Sequence, residues 1–505
     1  MPSVSPERTI RTHANIVHLA GDRAYKRKKP VNYAFLDYST LALRKHFVFE
    51  ELRLNRRFAP DVYLGVVEIL NESEPLQVSE LLQQPRENPA ARDYAVVMQR
   101  IAEDAWLPAM ARAGSLTPGH MQALMQRLVQ TWRENPADET TRANGLPANL
   151  RHNTVANIAE CERFVPLCLD RPAWQRLDAL LLGWFEANQA LFEARVRQDR
   201  IRDGHGDLKP GNIAFVNGRP IITDCIEFNP LFRRLDTLAE AAFLATGLQS
   251  LGRFDLAAKV LSAYQQAASD DYPQALRRYY QAHLACVMGK VTALQLDDPG
   301  IDDNQRQSAT KAARGHFALA GFYAREPHVL MVGGIMGCGK STLSAALSAA
   351  TGWPVFNSDV LRKQLWGVAP NQRLPQQAYT DEAAIAVYQA LAGKVAHAGG
   401  GVILDAQWPS VPLRAIATKA AHDAGGTATM VLCDAPDETV RQRMDERERN
   451  PQRVSDATSD LLAKARSRFV APQAAEGLRV VAVDTTRAVP EAVGQVMAKL
   501  VWAAD

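Results

Sequence analysis

His328-Val329-Leu330-Met331-Val332-Gly333-Gly334-Ile335-Met336-Gly337-Cys338-Gly339-Lys340-Ser341 decides the fold of the C-terminal part of the chain. The apolar run reads as a buried strand, Gly334 to Ser341 satisfies G-x-x-x-x-G-K-[ST], and helical patterning begins at Ser341. Glycines at 334, 337 and 339 free the backbone N–H groups around Cys338 to converge on phosphate oxygens. The helix N-terminus adds its dipole. Lys340 supplies a point charge, Ser341 a hydroxyl for magnesium, and Thr342 stands beside it in the first turn. Gly334, Gly337, Cys338, Gly339, Lys340, Ser341 and Thr342 are therefore the candidate nucleotide-binding residues.

Downstream, short apolar runs alternate with helical stretches: PVFNSD, GVILDA, TATMVLCD and RVVAVD. Strands buried on both faces read this way, so residues 327–505 are expected to form an α/β domain with a parallel, doubly wound sheet. Asp405 ends the strand GVILD, where a carboxylate approaches the metal through water; a simple cap is the alternative. Asp359 and Arg362 lie just past the second strand, at the sheet edge where ligands bind. There Asp359 is a candidate to take a proton from an acceptor hydroxyl, or else an N-cap of the next helix. Arg441, Arg443, Arg447, Arg449 and Arg453 read either as a lid over a transferring phosphoryl group or as a solvated helix face. Together these features resemble the small kinases related to polynucleotide kinase, zeta toxins, gluconate kinase and adenylylsulfate kinase.

The N-terminal part is organised differently. Asn15–Leu19 and Arg23–Lys28 predict a hairpin turned by Gly21-Asp22, followed by a helix over Thr40–Phe58 and strands at Val62–Leu70 and Asp93–Gln99. Helical periodicity then runs to about Arg200, broken near Pro136, Gly145 and Pro172, and dominates again from Leu238 to Tyr323. Arg325-Glu326-Pro327 is the expected junction, giving domains 1–326 and 327–505, the first with a small lobe over 1–100 and a helical large lobe over 101–326.

His205-Gly206-Asp207-Leu208-Lys209-Pro210-Gly211-Asn212-Ile213 carries Asp-x-x-x-x-Asn, and Ile221-Ile222-Thr223-Asp224 follows. Phosphoryl transfer needs one Asp to orient the attacking hydroxyl, an Asn on the metal and a second Asp bridging metal to nucleotide phosphates. Asp207, Asn212 and Asp224 fit those roles in order. A strand lysine for the phosphates and a helix acid to hold it complete such a site; Lys26 and Glu51 are the candidates. Lys28 shares the strand face of Lys26, and Glu50 adjoins Glu51.

These stretches, with YKRKKPVNYAFLDYSTL, EELRLNRRFAPDVYLGVV and DCIEFNPLFRRLDTLAEAAFL, resemble the aminoglycoside phosphotransferase and choline kinase superfamily. The resemblance extends to bacterial proteins fusing an aminoglycoside phosphotransferase-like domain to a P-loop ATP-binding domain (AAA family ATPase, predicted kinase). It implies a protein-kinase-like fold, with Val97 to Ile101 as the hinge whose backbone holds adenine. Two departures stand out. No G-x-G-x-x-G precedes the hairpin, so a phosphate-covering loop must be short, built from Thr12 to Asn15, and Lys209 stands where many relatives carry histidine. Glu227, Asn229, Arg233 and Asp236 match the family stretch, with Arg–Asp pairing behind the loop as one reading and substrate contact as the other.

Composition bounds the rest. At 505 residues and roughly 150 residues per domain, two to four domains are expected. The net charge of +3 is too small to argue for a nucleic-acid surface. No apolar run reaches membrane-spanning length and no secretory start is present, so a cytoplasmic setting without membrane contact is expected. Six scattered cysteines without a CxxC pair suggest reduced thiols and argue against structural zinc. The expected activity is phosphotransfer from ATP or GTP, with Mg2+, to a hydroxyl of a small molecule, by two modules. The alternatives are a kinase-like sensor controlling the P-loop domain, or a nucleic-acid or nucleotide-sugar kinase. Spacing reveals neither the acceptor nor the oligomeric state.

Overall fold

A computed structural model describes residues 2–12, 14–33, 36–168, 170–297, 300–324, 328–397, 401–449 and 454–502. The expected junction at 325–327, Arg453 and His13 lie outside these residues. The chain divides into two compact units: residues 1–156, 185–251 and 259–272 form the first, and 157–184, 252–258 and 273–505 the second.

In the first unit, Ser3–Val4 (β1), Arg8–Arg11 (β2), Asn15–Ala20 (β3), Arg23–Lys28 (β4), Tyr63–Asn71 (β5), Leu76–Val78 (β6) and Asp93–Gln99 (β7) build one antiparallel sheet. Its order is β1-β6-β5-β7-β4-β3-β2. The expected hairpin is present: Asn15 opposes Lys28 and Ala20 opposes Arg23, and Gly21 turns the chain at φ 56°, which glycine adopts without a Cβ penalty. Helix α1 (Leu41–Asn55) starts at Thr40, whose hydroxyl accepts from Leu43 N. Val48 and Leu52 of α1 pack on Val66, Tyr94 and Val96 of the sheet. That same helix face carries Glu51 into the interior, where a carboxylate needs a cation. The unit also holds helices, among them Pro118–Glu134 and Thr237–Ser250, and the hairpin Ile213–Val216 with Arg219–Ile222, turned at Asn217-Gly218.

In the second unit, His328–Gly333 (β8), Val355–Asn357 (β9), Gly401–Asp405 (β10), Thr427–Asp434 (β11) and Arg479–Asp484 (β12) form an all-parallel sheet ordered β9-β10-β8-β11-β12. Every residue of β8 and β10 is buried, as strands covered on both faces require. Helices α2 (Lys340–Thr351), α3 (Ser358–Leu365) and α4 (Asp437–Glu448) connect them. The parallel doubly wound expectation is met here.

The units do not follow a single cut at 326. Helices Arg171–Asp178, Gln274–Ala293 and Asp303–Ala324 group with the parallel sheet. Phe322 and His328 pack on the Trp353 ring at 5.6 and 5.7 Å, and Arg277 Nη2 donates to Ala350 O at 3.3 Å. Helical periodicity marks an apolar face; it does not say which unit covers that face.

Candidate active sites

In the second unit the loop after β8 depends on its glycines. Gly334, Gly337 and Gly339 have φ of 127°, 74° and 86°, values that disfavour side chains. A Cβ on Gly334 would fall 2.3 Å from Cys433 O, and one on Gly337 2.8 Å from Met444 and Val440 side-chain carbons. Lys340 folds back so that Nζ donates to Ile335 O at 2.7 Å. Ser341 and Thr342 are exposed at the start of α2, and Cys338 is buried beneath the loop.

Asp405 is 2% exposed. Parallel register sets Asn357 opposite Asp405, and Asn357 Nδ2 donates to Asp405 Oδ2 at 2.8 Å. Oδ1 has no hydrogen-bond partner among the described residues. Burial raises the Asp405 carboxyl, opposed by the Lys340 charge, the nearby Ser341 hydroxyl and the bond from Asn357. A buried carboxylate oxygen left unmatched next to a helix-start hydroxyl fits a magnesium site of the P-loop kind.

Asn357 is the N-cap of α3, its Oδ1 accepting from Asp359 N and Val360 N. Asp359 is therefore not the cap; it stands half-exposed in the first turn. Arg362 points elsewhere: Nη1 donates to Ala378 O at 2.8 Å and the guanidinium lies 5.0 Å over the Tyr379 ring. Asp456 fastens this segment, accepting from Tyr379 OH at 2.6 Å, Leu374 N at 3.1 Å and Lys363 Nζ at 3.2 Å. Sequence reasoning missed Asn357 and Asp456. Asn357 had a local signal, standing one residue before a helix start; Asp456 had none.

The basic run separates. Arg441 and Arg449 are exposed, as a solvated face would be. Arg443 reaches the loop end, donating to Thr485 Oγ1 and O at 3.1 and 2.7 Å, while Thr485 Oγ1 donates to Cys338 O at 2.8 Å. Arg447 Nη2 donates to Ala457 O at 3.3 Å.

In the first unit, β4 turns Ala24, Lys26 and Lys28 inward. Lys26 Nζ pairs with Glu51 Oε1 at 2.8 Å and with Asp224 Oδ1. Lys28 Nζ pairs with Glu51 Oε2 at 2.5 Å and with Glu227, which also accepts from Tyr38 OH. Glu51 thus serves both lysines, whereas Glu50 pairs with Arg53 at the surface. Only Lys26, of the two lysines, reaches Asp224. Burial would raise the Asp224 carboxyl, but the Lys26 charge overrides it and holds that carboxyl well below the carboxylate range.

Asp224 has φ 67°, a left-handed conformation held by Tyr63 OH, which accepts from Asp224 N at 3.1 Å, and by Asn55 Oδ1, which accepts from Cys225 N at 2.9 Å. Asp207 Oδ2 accepts from Asn212 Nδ2 at 3.0 Å and Lys209 Nζ at 2.5 Å. Burial raises the Asp207 carboxyl and Lys209 opposes it. With its amide nitrogen committed to Asp207, Asn212 keeps Oδ1 for a cation. Among the described residues no cluster of three or more His, Cys, Asp or Glu is placed to hold a metal, so a cation here would draw on Asn212 Oδ1, Asp224 and the phosphates of a nucleotide. Arg233 and Asp236 support the surrounding segments with other partners, Asp203 and Arg195. Asn15 N donates to Thr12 Oγ1 at 3.0 Å. Gln99 to Ala102, with Val62, Phe215 and Ile221, line a cavity of about 680 Å3.

Among the described residues no helix is long and apolar enough to cross a membrane. The family described as AAA domain matches residues 329–472. The uncharacterized protein Rv2004c of Mycobacterium tuberculosis is 30% identical over 469 residues, 90% of this chain and 89% of that protein. Mb2027c of Mycobacterium bovis matches to the same extent. Two solved structures are similar to part of the chain. A gluconokinase from Sinorhizobium meliloti 1021 is 24% identical, covering 35% of this chain and 93% of its own, with TM-score 0.27. The Mycobacterium tuberculosis APS kinase CysC, in complex with AMPPNP and APS, is 19% identical, covering 35% and 99%, with TM-score 0.27.

Proposed function

We propose that this chain, which belongs to the same family as Rv2004c of Mycobacterium tuberculosis, is an ATP- or GTP-dependent kinase with two phosphoryl-transfer modules acting on hydroxyls of small molecules. The observation that carries the reading is a repeated chemistry: each unit sets a lysine near a carboxylate suited to magnesium, Lys26 with Asp224 and Lys340 with Asp405. The first unit is read as protein-kinase-like, of the aminoglycoside phosphotransferase and choline kinase kind, and the second as a P-loop kinase.

In the second unit, Lys340 exchanges Ile335 O for phosphate oxygens, anionic acceptors that hold an ammonium more strongly than a neutral carbonyl does. The N–H groups around Gly337 and Gly339 hold the phosphates, and Asp359 takes the proton of the acceptor hydroxyl. In the first unit, Lys26 binds phosphate while Glu51 fixes its position, and Asp207 orients the attacking hydroxyl. Magnesium, when bound, offsets charge on the phosphoryl oxygens. Ser341 and Asp405 would hold it in one unit, and Asn212 and Asp224 in the other.

Calorimetric titration of the full chain with MgATP, followed by metabolite profiling of an ATP reaction, tests the proposal. Two binding events and a phosphorylated product are expected. A chain that binds no nucleotide and consumes none with any metabolite pool would sink the reading.

A second reading makes the first unit a sensor that controls the second. It is favoured by the lysine pairs that already neutralise Asp207 and Asp224, since a nucleotide must compete with them. Phosphoryl transfer surviving Asp207→Asn but not Lys340→Ala would favour the sensor.

A further inference from the structure

Cys338 lies between Gly337 and Gly339, the loop residues at φ 74° and 86°. Cys433 stands next to last in β11, whose register sets Leu432 opposite Gly333. That register, with Cys338 Sγ and Cys433 O both against Gly334, sets the two residues side by side under the phosphate loop, where each thiol acts on the other's titration. They are 0% and 2% exposed, and neither is in a disulfide. Both residues crowd Gly334, where a Cβ would fall 2.9 Å from Cys338 Sγ and 2.3 Å from Cys433 O. Glycine at 334 is what lets the pair meet.

The site favours a thiolate at one position only. Cys433 pulls the Cys338 thiol down to about 6 against burial, with help from the Lys340 charge, whose Nζ is 3.9 Å from Cys338 Sγ. Cys338 and burial push the Cys433 thiol well up. A thiolate beside a protonated thiol is the pairing from which a disulfide forms. The loop residues around Cys338, namely Met336, Gly337 and Gly339, are half-buried and not fully enclosed.

We propose that Cys338 and Cys433 are a redox site, in which oxidation by hydrogen peroxide joins them in a disulfide that deforms the phosphate loop and closes it to nucleotide. The closure rests on the reading that this loop binds nucleotide. Cys338 Sγ attacks the peroxide, the O–O bond breaks, and the departing hydroxide becomes water with the proton that Cys338 gave up. Cys433 then attacks the resulting sulfenic acid, the S–O bond breaks, and a second water leaves with the Cys433 proton. Two thiols lose two electrons and one peroxide becomes two waters. Bonded sulfurs sit about 2.0 Å apart, closer than hydrogen-bonded ones. Cys338 must therefore move toward β11 while Thr485 holds its carbonyl at 2.8 Å. The flanking N–H groups then no longer converge on one phosphate.

The test treats the full chain with hydrogen peroxide, maps peptides by mass spectrometry and titrates MgATP at the site lost in Lys340→Ala. A Cys338–Cys433 cross-linked peptide is expected, with affinity falling by roughly tenfold or more and returning after dithiothreitol. Cys433→Ser should give no cross-link and keep its affinity to within about twofold under the same dose. Failure of the cross-link to form, a cross-linked chain that binds normally, or Cys433→Ser losing affinity as the parent does would each overturn the proposal. Reduced chain that lacks a Lys340-dependent MgATP site would instead overturn the nucleotide reading, and the peptide map would still decide whether the disulfide forms.

Discussion

Asn357 Nδ2 donates to Asp405 Oδ2 at 2.8 Å, while Asn357 Oδ1 accepts from Asp359 N and Val360 N at 2.9 and 3.2 Å. One amide therefore starts the helix that carries Asp359 and orients the carboxylate assigned to the metal. Replacing Asn357 by Ala should cost about 1 kcal/mol for the cap, read by chemical denaturation. Asn357→Asp should keep the cap but set a carboxylate against Asp405. The Mg2+ requirement of ATP turnover should then rise by about tenfold, the scale of lost support behind a metal ligand. An unchanged requirement would remove Asp405 from the metal site.

Lys340→Ala and Asp207→Asn should separate the modules. Lys340→Ala is expected to weaken MgATP binding at the second unit by roughly tenfold to a hundredfold, the worth of a charged hydrogen bond, and to leave the other binding event intact. Calorimetry reads this as a change from two events to one. Asp207→Asn should leave both events and abolish product from the first unit.

Glu51 and Glu50 are neighbours with opposite energetics. Glu51 is 0% exposed and holds Lys26 and Lys28 at 2.8 and 2.5 Å. Glu51→Gln leaves two buried ammonium groups short of charge and should destabilise the first unit by about 3 kcal/mol. Glu50→Gln loses only a surface pair with Arg53, worth less than about 1 kcal/mol. Urea denaturation of the two variants checks the contrast, and equal losses would refute it.

Glu240 couples the Asp207 loop to pH. Its Oε1 accepts from His205 N and Gly206 N at 2.7 Å each, and Oε2 accepts from Trp132 Nε1 at 3.0 Å. Burial pushes its carboxyl up to about 7 against the bonds from Gly206, His205 and Trp132. A folded value above the unfolded 4.5 means the folded state holds the proton more tightly. That stability is fully present below pH 4.5 and is lost as pH rises through 7, about 3 kcal/mol in all. Amide exchange at His205 and Gly206 should therefore quicken from pH 5 to 8 beyond the intrinsic rate. Glu240→Gln, which has no proton to lose, should flatten that excess.

The elements were largely legible. The Gly21-Asp22 hairpin, the helix from Thr40 and the five strands of the parallel sheet each follow from adjacent residues, whose turn chemistry and periodicity act over a few positions. The choice between Lys26 and Lys28 was not legible, because both face inward from β4 and only packing decides which meets Asp224. Asp359 read as a possible cap because its own helix start was misjudged by two residues; Asn357 takes that role. The helices Gln274–Ala293 and Asp303–Ala324 group with the parallel sheet, and periodicity does not encode which unit covers an apolar face.

The sequence by itself determined the glycine-rich loop, since Gly334 to Ser341 are consecutive and their conformation follows from glycine's freedom at positive φ. It also named Asp207, Asn212, Asp224 and Asp405 as oxygen donors. Tertiary structure alone decided their partners: Lys26 meets Asp224 across 198 positions, and Asn357 meets Asp405 across 48. The chain's covalent geometry reaches only a few residues. Contacts at those separations are set by strand register and by the burial that forces each charge to find its counterpart. In the loop itself the same division holds, for the motif placed Cys338 there and only the sheet brought Cys433 beneath it.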